Sequence, residues 1–324
     1  MKKIFLLFLV IGAVLFSCKS KDDSTKKVDI EFGKAGEYQV DTYSLSSNEK
    51  STAYYPAEIA TMDHKTPVVF FISGWTKETP AAKYDALFRF IASHGYTVIY
   101  QLQGAKTTAQ FAIDGITAFL NSTDNTVQNT LLPNIDITKL GVLGHSAGGG
   151  MTLTVLKHFS ELGYGTNGRF VMMYDPWYAF DMSETDIKGL PNNVNVVLEQ
   201  FGYRGNNDAN GTDARIPLTL YSLLTSIPDD HKDYYVYDQQ NANHTYPYGN
   251  GRPYSDMQGI LKPLDALMYY TFEDDQNEQA RVTALENGND KPYDNGNGIQ
   301  EVLPNYQYPC DGANTIIDYC SIVP

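Results

Sequence analysis

Leu140-Gly141-Val142-Leu143-Gly144-His145-Ser146-Ala147-Gly148-Gly149-Gly150 runs directly into Met151-Thr152-Leu153-Thr154-Val155-Leu156. Residues 140–143 read as a short apolar strand, and residues 151–156 open an apolar helix. Between them, Gly144 to Gly148 fits the pattern G-x-S-x-G, the nucleophile elbow. In such an elbow a sharp strand-to-helix turn lifts a serine hydroxyl above the sheet. Its glycines are needed because neighbouring backbone leaves no room for side chains. The pattern is short and recurs by chance, often as a tight turn with an inert serine. Here a strand precedes it and a helix follows it, so Ser146 is read as a nucleophile.

Working outward, the chain alternates strands and helices. Pro67 precedes Val68-Val69-Phe70-Phe71-Ile72, a continuous apolar run typical of a strand buried on both faces. Tyr84, Leu87, Phe88 and Ile91 fall on one helical face, and Gly95 ends that helix. Tyr96 to Tyr100 reads as the next strand, and Ile113, Ile116 and Leu120 mark another helix. Phe170 to Tyr174, Val194 to Leu198 and Tyr234 to Tyr237 read as strands, and Leu261 to Phe272 as a closing helix. Alternation of this kind implies an α/β protein with a mostly parallel central sheet covered by helices on both faces. With the elbow, it implies the α/β-hydrolase fold.

A serine nucleophile needs a base, and in this fold the order is serine, acid, histidine. Of six histidines, His64 and His94 come too early, and His145 sits inside the elbow. His158 lies on the following helix, and His231 in a charged turn before the last strand. His244 lies in the loop after that strand, where the base belongs. The acid is expected after Val194–Leu198, at Asp208 or Asp213. Glu199 is still on the strand, and Asp175 follows the strand before it. Asp208 sits among turn formers, where Asp is favoured for local reasons. Asp213 stands at a corner before Ile216-Pro217, a helix start with Pro in its first turn, and is preferred. Capping that helix is its alternative role. An oxyanion hole needs two backbone N–H donors. Ala147, after the nucleophile, supplies one, and Trp75, in the turn Ser73-Gly74-Trp75, the other.

These blocks resemble the bacterial cutinases and polyester hydrolases, α/β-hydrolases without a lid. The resemblance rests on Ser73-Gly74-Trp75-Thr76, Ala92-Ser93-His94-Gly95-Tyr96, residues 141–150, Asp175-Pro176-Trp177 and the late pair Cys310 and Cys320. It implies ester hydrolysis without cofactor or metal, with Trp177 as a substrate clamp and Trp75 facing it across the cleft. It also implies an acid with a Pro four residues on, as at Asp213. Departures are Ala147, where the family commonly has Met, and longer loops over 178–193 and 201–212. These bear on substrate more than on reaction. A lipase or carbohydrate esterase on the same fold remains an alternative. So does an inert polymer- or glycan-binding lipoprotein, which the 24 tyrosines suit.

The chain ends add location. Lys2 and Lys3, then apolar Ile4 to Phe16, then Leu15-Phe16-Ser17-Cys18, resemble a lipoprotein signal with Cys18 as the lipidated residue. The expected division is a signal peptide over 1–17, a tether over 18–36 and a catalytic domain over 37–272. An extension stapled by a Cys310–Cys320 disulfide occupies 273–324, as an exported protein would allow. The expected home is the bacterial outer membrane, held by lipid; Lys21-Asp22-Asp23 resembles a surface-export signal. The Asp/Asn/Gly cluster from Asn287 to Gly298 could offer oxygen ligands to Ca²⁺, but it departs from EF-hand spacing, and a turn-rich loop is the preferred reading. A formal net charge of −14 argues against a nucleic-acid partner. The protein is read as a monomer.

Overall fold

A computed structural model describes residues 30–45, 51–75, 80–102, 104, 108–201, 215–237, 242–249 and 251–286, with three two-residue strands beyond. Cys18, Asp208, Asp213, Cys310 and Cys320, on which expectations were placed, lie outside the described residues. Among the described residues, no helix is long and apolar enough to cross a membrane.

Eight strands build the central sheet: β1 (Val40–Ser44), β2 (Ser51–Pro56), β3 (Thr66–Ile72), β4 (Thr97–Gln101), β5 (Ile135–His145), β6 (Arg169–Tyr174), β7 (Asn195–Phe201) and β8 (Lys232–Tyr237). Their order is β1-β2-β4-β3-β5-β6-β7-β8, with a short strand, Gln300–Glu301, at the β8 edge. β1, β2 and β4 pair antiparallel. From β4 through β8 every pairing is parallel. This is the α/β-hydrolase architecture that the alternation implied. β1 and β2 were not anticipated as separate strands.

Strand periodicity explains the layers. Val68, Phe70 and Ile72 point into one core, and Val69 and Phe71 into the other. The first core is covered by α2 (Gln110–Leu120), α3 (Ala147–Glu161), α4 (Glu184–Lys188) and α5 (Arg215–Leu223). The second is covered by α1 (Asp85–Ser93), α6 (Gln258–Phe272) and α7 (Glu278–Leu285). Because both faces are covered, the central strands carry near-continuous apolar runs rather than an alternating pattern. Each fully buried Val, Ile or Phe contributes roughly 1.5–3 kcal/mol.

Two expected boundaries move. The tether ends earlier than residue 36, because Phe32 is buried in the second core. There Asp265 accepts the Gly33 N–H at 2.8 Å, Gln258 donates to the Gly33 carbonyl at 2.9 Å, and Gln279 bonds both backbone groups of Ile30. The fold also continues past the expected boundary at residue 272, because Ala280, Ala284 and Leu285 of α7 are buried in the same core.

Candidate active site

β5 ends at His145, α3 begins at Ala147, and Ser146 alone makes the turn. Ser146 has φ 57° and ψ −125°. A non-glycine residue held there costs on the order of 1–3 kcal/mol and persists only when its surroundings over-determine it. They do. The Ser146 N–H donates to the Tyr174 carbonyl at 2.9 Å, and the Ser146 carbonyl accepts from Gly150 and Trp177. A Cβ on Gly144 would overlap the Gly148 backbone, and one on Gly148 would overlap the carbonyls of Ile72 and Ser73. The elbow glycines are therefore required by backbone approach.

The loop after β6 lies directly on the start of α3. A Cβ on Gly150 would overlap the Trp177 and Tyr178 carbonyl oxygens. Phe180 N–H donates to the Gly150 carbonyl at 2.9 Å. Asp175, Tyr178 and Asp181 all have positive φ. Asp181 anchors the loop's far end, accepting from Thr108 Oγ1 at 2.6 Å and from the Ala109 N–H at 2.7 Å.

That loop delivers Asp175 to His244. Asp175 Oδ2 stands 3.1 Å from His244 Nδ1, and Oδ1 accepts the Phe201 N–H at 2.6 Å. The carboxylate is wholly buried, whereas the His244 ring is partly open. Among the described residues the carboxylate on His244 is thus that of Asp175; Asp213, which the helix-corner argument preferred, lies outside them. The reason lies in the sheet. β6 and β7 are parallel neighbours, so either strand's carboxyl end can supply a carboxylate to a histidine arriving after β8. No hydrogen bond joins Ser146 Oγ to His244 Nε2 among the described residues. Such contacts are commonly long before substrate binds and tighten in the Michaelis complex.

The turn after β3 faces Ser146. A Cβ built on Gly74 would stand 3.4 Å from Ser146 Cβ. Ala147 is the first residue of α3, so its N–H belongs to the unpaired amino-terminal donors of the helix. Among the described residues no hydrogen bond takes up the amide of Ala147 or of Trp75. The rings of Trp75 and Trp177 lie 5.0 Å apart at 34°, and Trp75 is 44% exposed. Ser146, Trp75, Ala147 and Trp177 are therefore brought together, and His244 meets the elbow through its carbonyl on His145.

Two groups that the sequence set aside prove to be fully buried beside the site. Glu199, on β7, is fully buried beside Asp175, and burial pushes its carboxyl well above the usual range, with the Asp175 charge adding to the effect and Tyr235 opposing it. The local signal was an acidic residue inside an apolar strand. His145 is also fully buried. Its Nδ1 lies 2.9 Å from Tyr84 Oη and its Nε2 2.7 Å from the His244 carbonyl oxygen. Burial, and then the neighbouring His244, hold it well below the ordinary histidine range. Among the described residues, no group of three or more His, Cys, Asp or Glu is placed to hold a metal ion.

Residues 29–166 match the model of the chlorophyllase family, an α/β-hydrolase-type esterase family. The matched segment carries Trp75, the elbow and Ser146, and stops before Asp175 and His244. No curated protein matches the chain.

Proposed function

We propose that this chain is a serine hydrolase of carboxylic esters, with Ser146 as nucleophile, His244 as general base and Asp175 as the acid that orients it. The observation that carries this reading is the Asp175–His244 pair held beside a serine on a strained elbow. The match of the elbow segment to an esterase family supports it. Ser146 Oγ attacks the ester carbonyl while His244 Nε2 takes its proton. The tetrahedral oxyanion is met by the Trp75 and Ala147 amides. His244 then protonates the leaving alkoxide, and the acyl-enzyme remains on Ser146. Water, deprotonated by His244, attacks that acyl group and releases the acid. Asp175 fixes the Nδ1–H tautomer of His244 and stabilises its charged form.

The exposed Trp75 and the half-buried Trp177 flank the nucleophile and favour esters with an aromatic or bulky acyl group. Polyesters of that kind fall within this proposal, as does action at an outer membrane through lipid on Cys18. The test is labelling by a fluorophosphonate probe together with turnover of a short p-nitrophenyl ester. Both are expected in the wild type, and Ser146→Ala is expected to lose labelling and about 10⁴-fold or more of the rate. Ester turnover by Ser146→Ala near the wild-type rate would remove the assignment.

A further inference from the structure

His145 takes no part in the mechanism above, yet both of its ring nitrogens are engaged by elements that shape the site. The His244 carbonyl can only accept, so Nε2 carries the hydrogen and donates to it at 2.7 Å. In the neutral ring that hydrogen pattern leaves Nδ1 an acceptor, and the Tyr84 hydroxyl donates to it at 2.9 Å. The same hydroxyl oxygen accepts the Gly74 N–H at 3.3 Å. A single chain of hydrogen bonds thus runs from the oxyanion turn, through Tyr84 and His145, to the main chain of the base.

We infer that His145 is a positioning residue that couples the oxyanion turn to the general base through the Gly74–Tyr84–His145–His244 chain. This rests on the assignment of Ser146 and His244 above. His244 sits in a short loop built from local turns, with Tyr246 N–H donating to the Asn243 carbonyl and Thr245 N–H to Asn243 Oδ1. Those turns fix the loop's shape, and buried Tyr246, packed on Phe201 and Tyr237, ties it to the sheet. Two long-range bonds then fix His244 itself: Asp175 holds the ring, and His145 holds the carbonyl. With both ends of the residue fixed, the direction of Nε2 follows. On the other side, Gly74 immediately precedes the oxyanion donor Trp75, so holding the Gly74 N–H orients the next peptide. The His145 ring cannot drift, because the rings of Tyr84, Tyr248 and His244 enclose it, with centroids 5.9, 5.3 and 4.7 Å away. An apolar residue of equal volume would fill this space and make neither bond.

The experiment compares His145→Phe, His145→Gln, Tyr84→Phe and the double variant, each checked for folding by thermal melting. Steady-state kinetics on a short p-nitrophenyl ester and the rate of fluorophosphonate labelling are measured. His145→Phe keeps the ring and loses both bonds. It is expected to lower kcat by about 10- to 100-fold, the cost of small misplacement at a reacting centre. Labelling should fall in parallel, with KM within about threefold of wild type. His145→Gln restores a donor toward the His244 carbonyl and should recover most of the loss. Tyr84→Phe should cost about tenfold in kcat, and the double variant less than the product of the single losses. A folded His145→Phe with wild-type kcat overturns the inference, as does a His145→Gln no better than His145→Phe. If His145→Phe does not fold, a wild-type kcat in Tyr84→Phe overturns it instead. Ser146→Ala is assayed alongside. An inactive Ser146→Ala beside a wild-type-like His145→Phe defeats this coupling alone, whereas an active Ser146→Ala defeats the assignment beneath it.

Discussion

Asp175→Asn separates the two candidate acids, and the structure fixes how it should fail. Asp175 Oδ1 accepts the Phe201 N–H at 2.6 Å, and Oδ2 faces His244 Nδ1 at 3.1 Å. An asparagine amide has one acceptor and one donor end. Placing the donor end against the Phe201 N–H would leave two buried donors opposed, at a cost of about 1–3 kcal/mol. The amide therefore keeps its oxygen on Phe201 and turns its NH₂ toward His244. Nδ1 must then accept, the ring hydrogen moves to Nε2, and Nε2 can no longer take a proton from Ser146. A wrong tautomer of this kind lowers kcat by about 10⁴ with geometry intact, or ~5.4 kcal/mol of transition-state stabilisation. The assay is kcat on p-nitrophenyl acetate for Asp175→Asn, Asp208→Asn and Asp213→Asn side by side, with melting curves to confirm folding. Asp208→Asn and Asp213→Asn are expected to stay within tenfold of wild type. If Asp175→Asn keeps wild-type turnover while Asp213→Asn loses it, the reasoning fails.

Gly150→Ala would drive a Cβ into the carbonyls of Trp177 and Tyr178; a loss of about 1–3 kcal/mol in chemical denaturation is expected, together with a lower kcat because that loop carries Asp175. Glu199 holds a proton in the fold that the unfolded chain releases above the ordinary glutamate range, so its contribution to stability falls as pH rises. Glu199→Gln should therefore melt higher than wild type at about pH 8 and converge with it at about pH 4, and parallel curves would show that the buried carboxyl is not neutral. Trp177→Ala should reduce turnover of bulky aromatic esters more than of acetate esters, and equal losses on both would mark Trp177 as a packing residue.

The residues proposed as nucleophile and base could be picked from the sequence because each rests on local pattern plus chain order. Gly144 to Gly148 carries the elbow in consecutive residues, and His244 follows the last strand of the alternating series. The triple glycine 148–150 announced a close approach, but its partner, the loop at Trp177 and Tyr178, appears only in three dimensions. Residues 30–36 looked like tether because their composition is polar; Phe32 and the bonds to Asp265, Gln258 and Gln279 bind them to helices more than 200 positions away.

The carboxylate that meets His244 appears only in the tertiary structure. Chain order places it after the strand that ends near Leu198, and helix-corner chemistry then favoured Asp213. In the sheet, β6 and β7 are adjacent and parallel, roughly 4.8 Å apart as neighbouring strands are. A carboxylate at either strand's end therefore reaches the same imidazole. Asp175 holds the place because its backbone turns to φ 44° and its N–H bonds the Glu199 carbonyl at 2.7 Å. No local sequence rule marks that turn. His145 is the same case: within the elbow it is an unconstrained position of the motif, and only folding brings Tyr84 to one nitrogen and the His244 carbonyl to the other. Sequence determined which elements form and in what order, because periodicity and turn chemistry act over a few residues. Contacts between strand ends and loops far apart in the chain were left to the fold, because the sheet sets those distances.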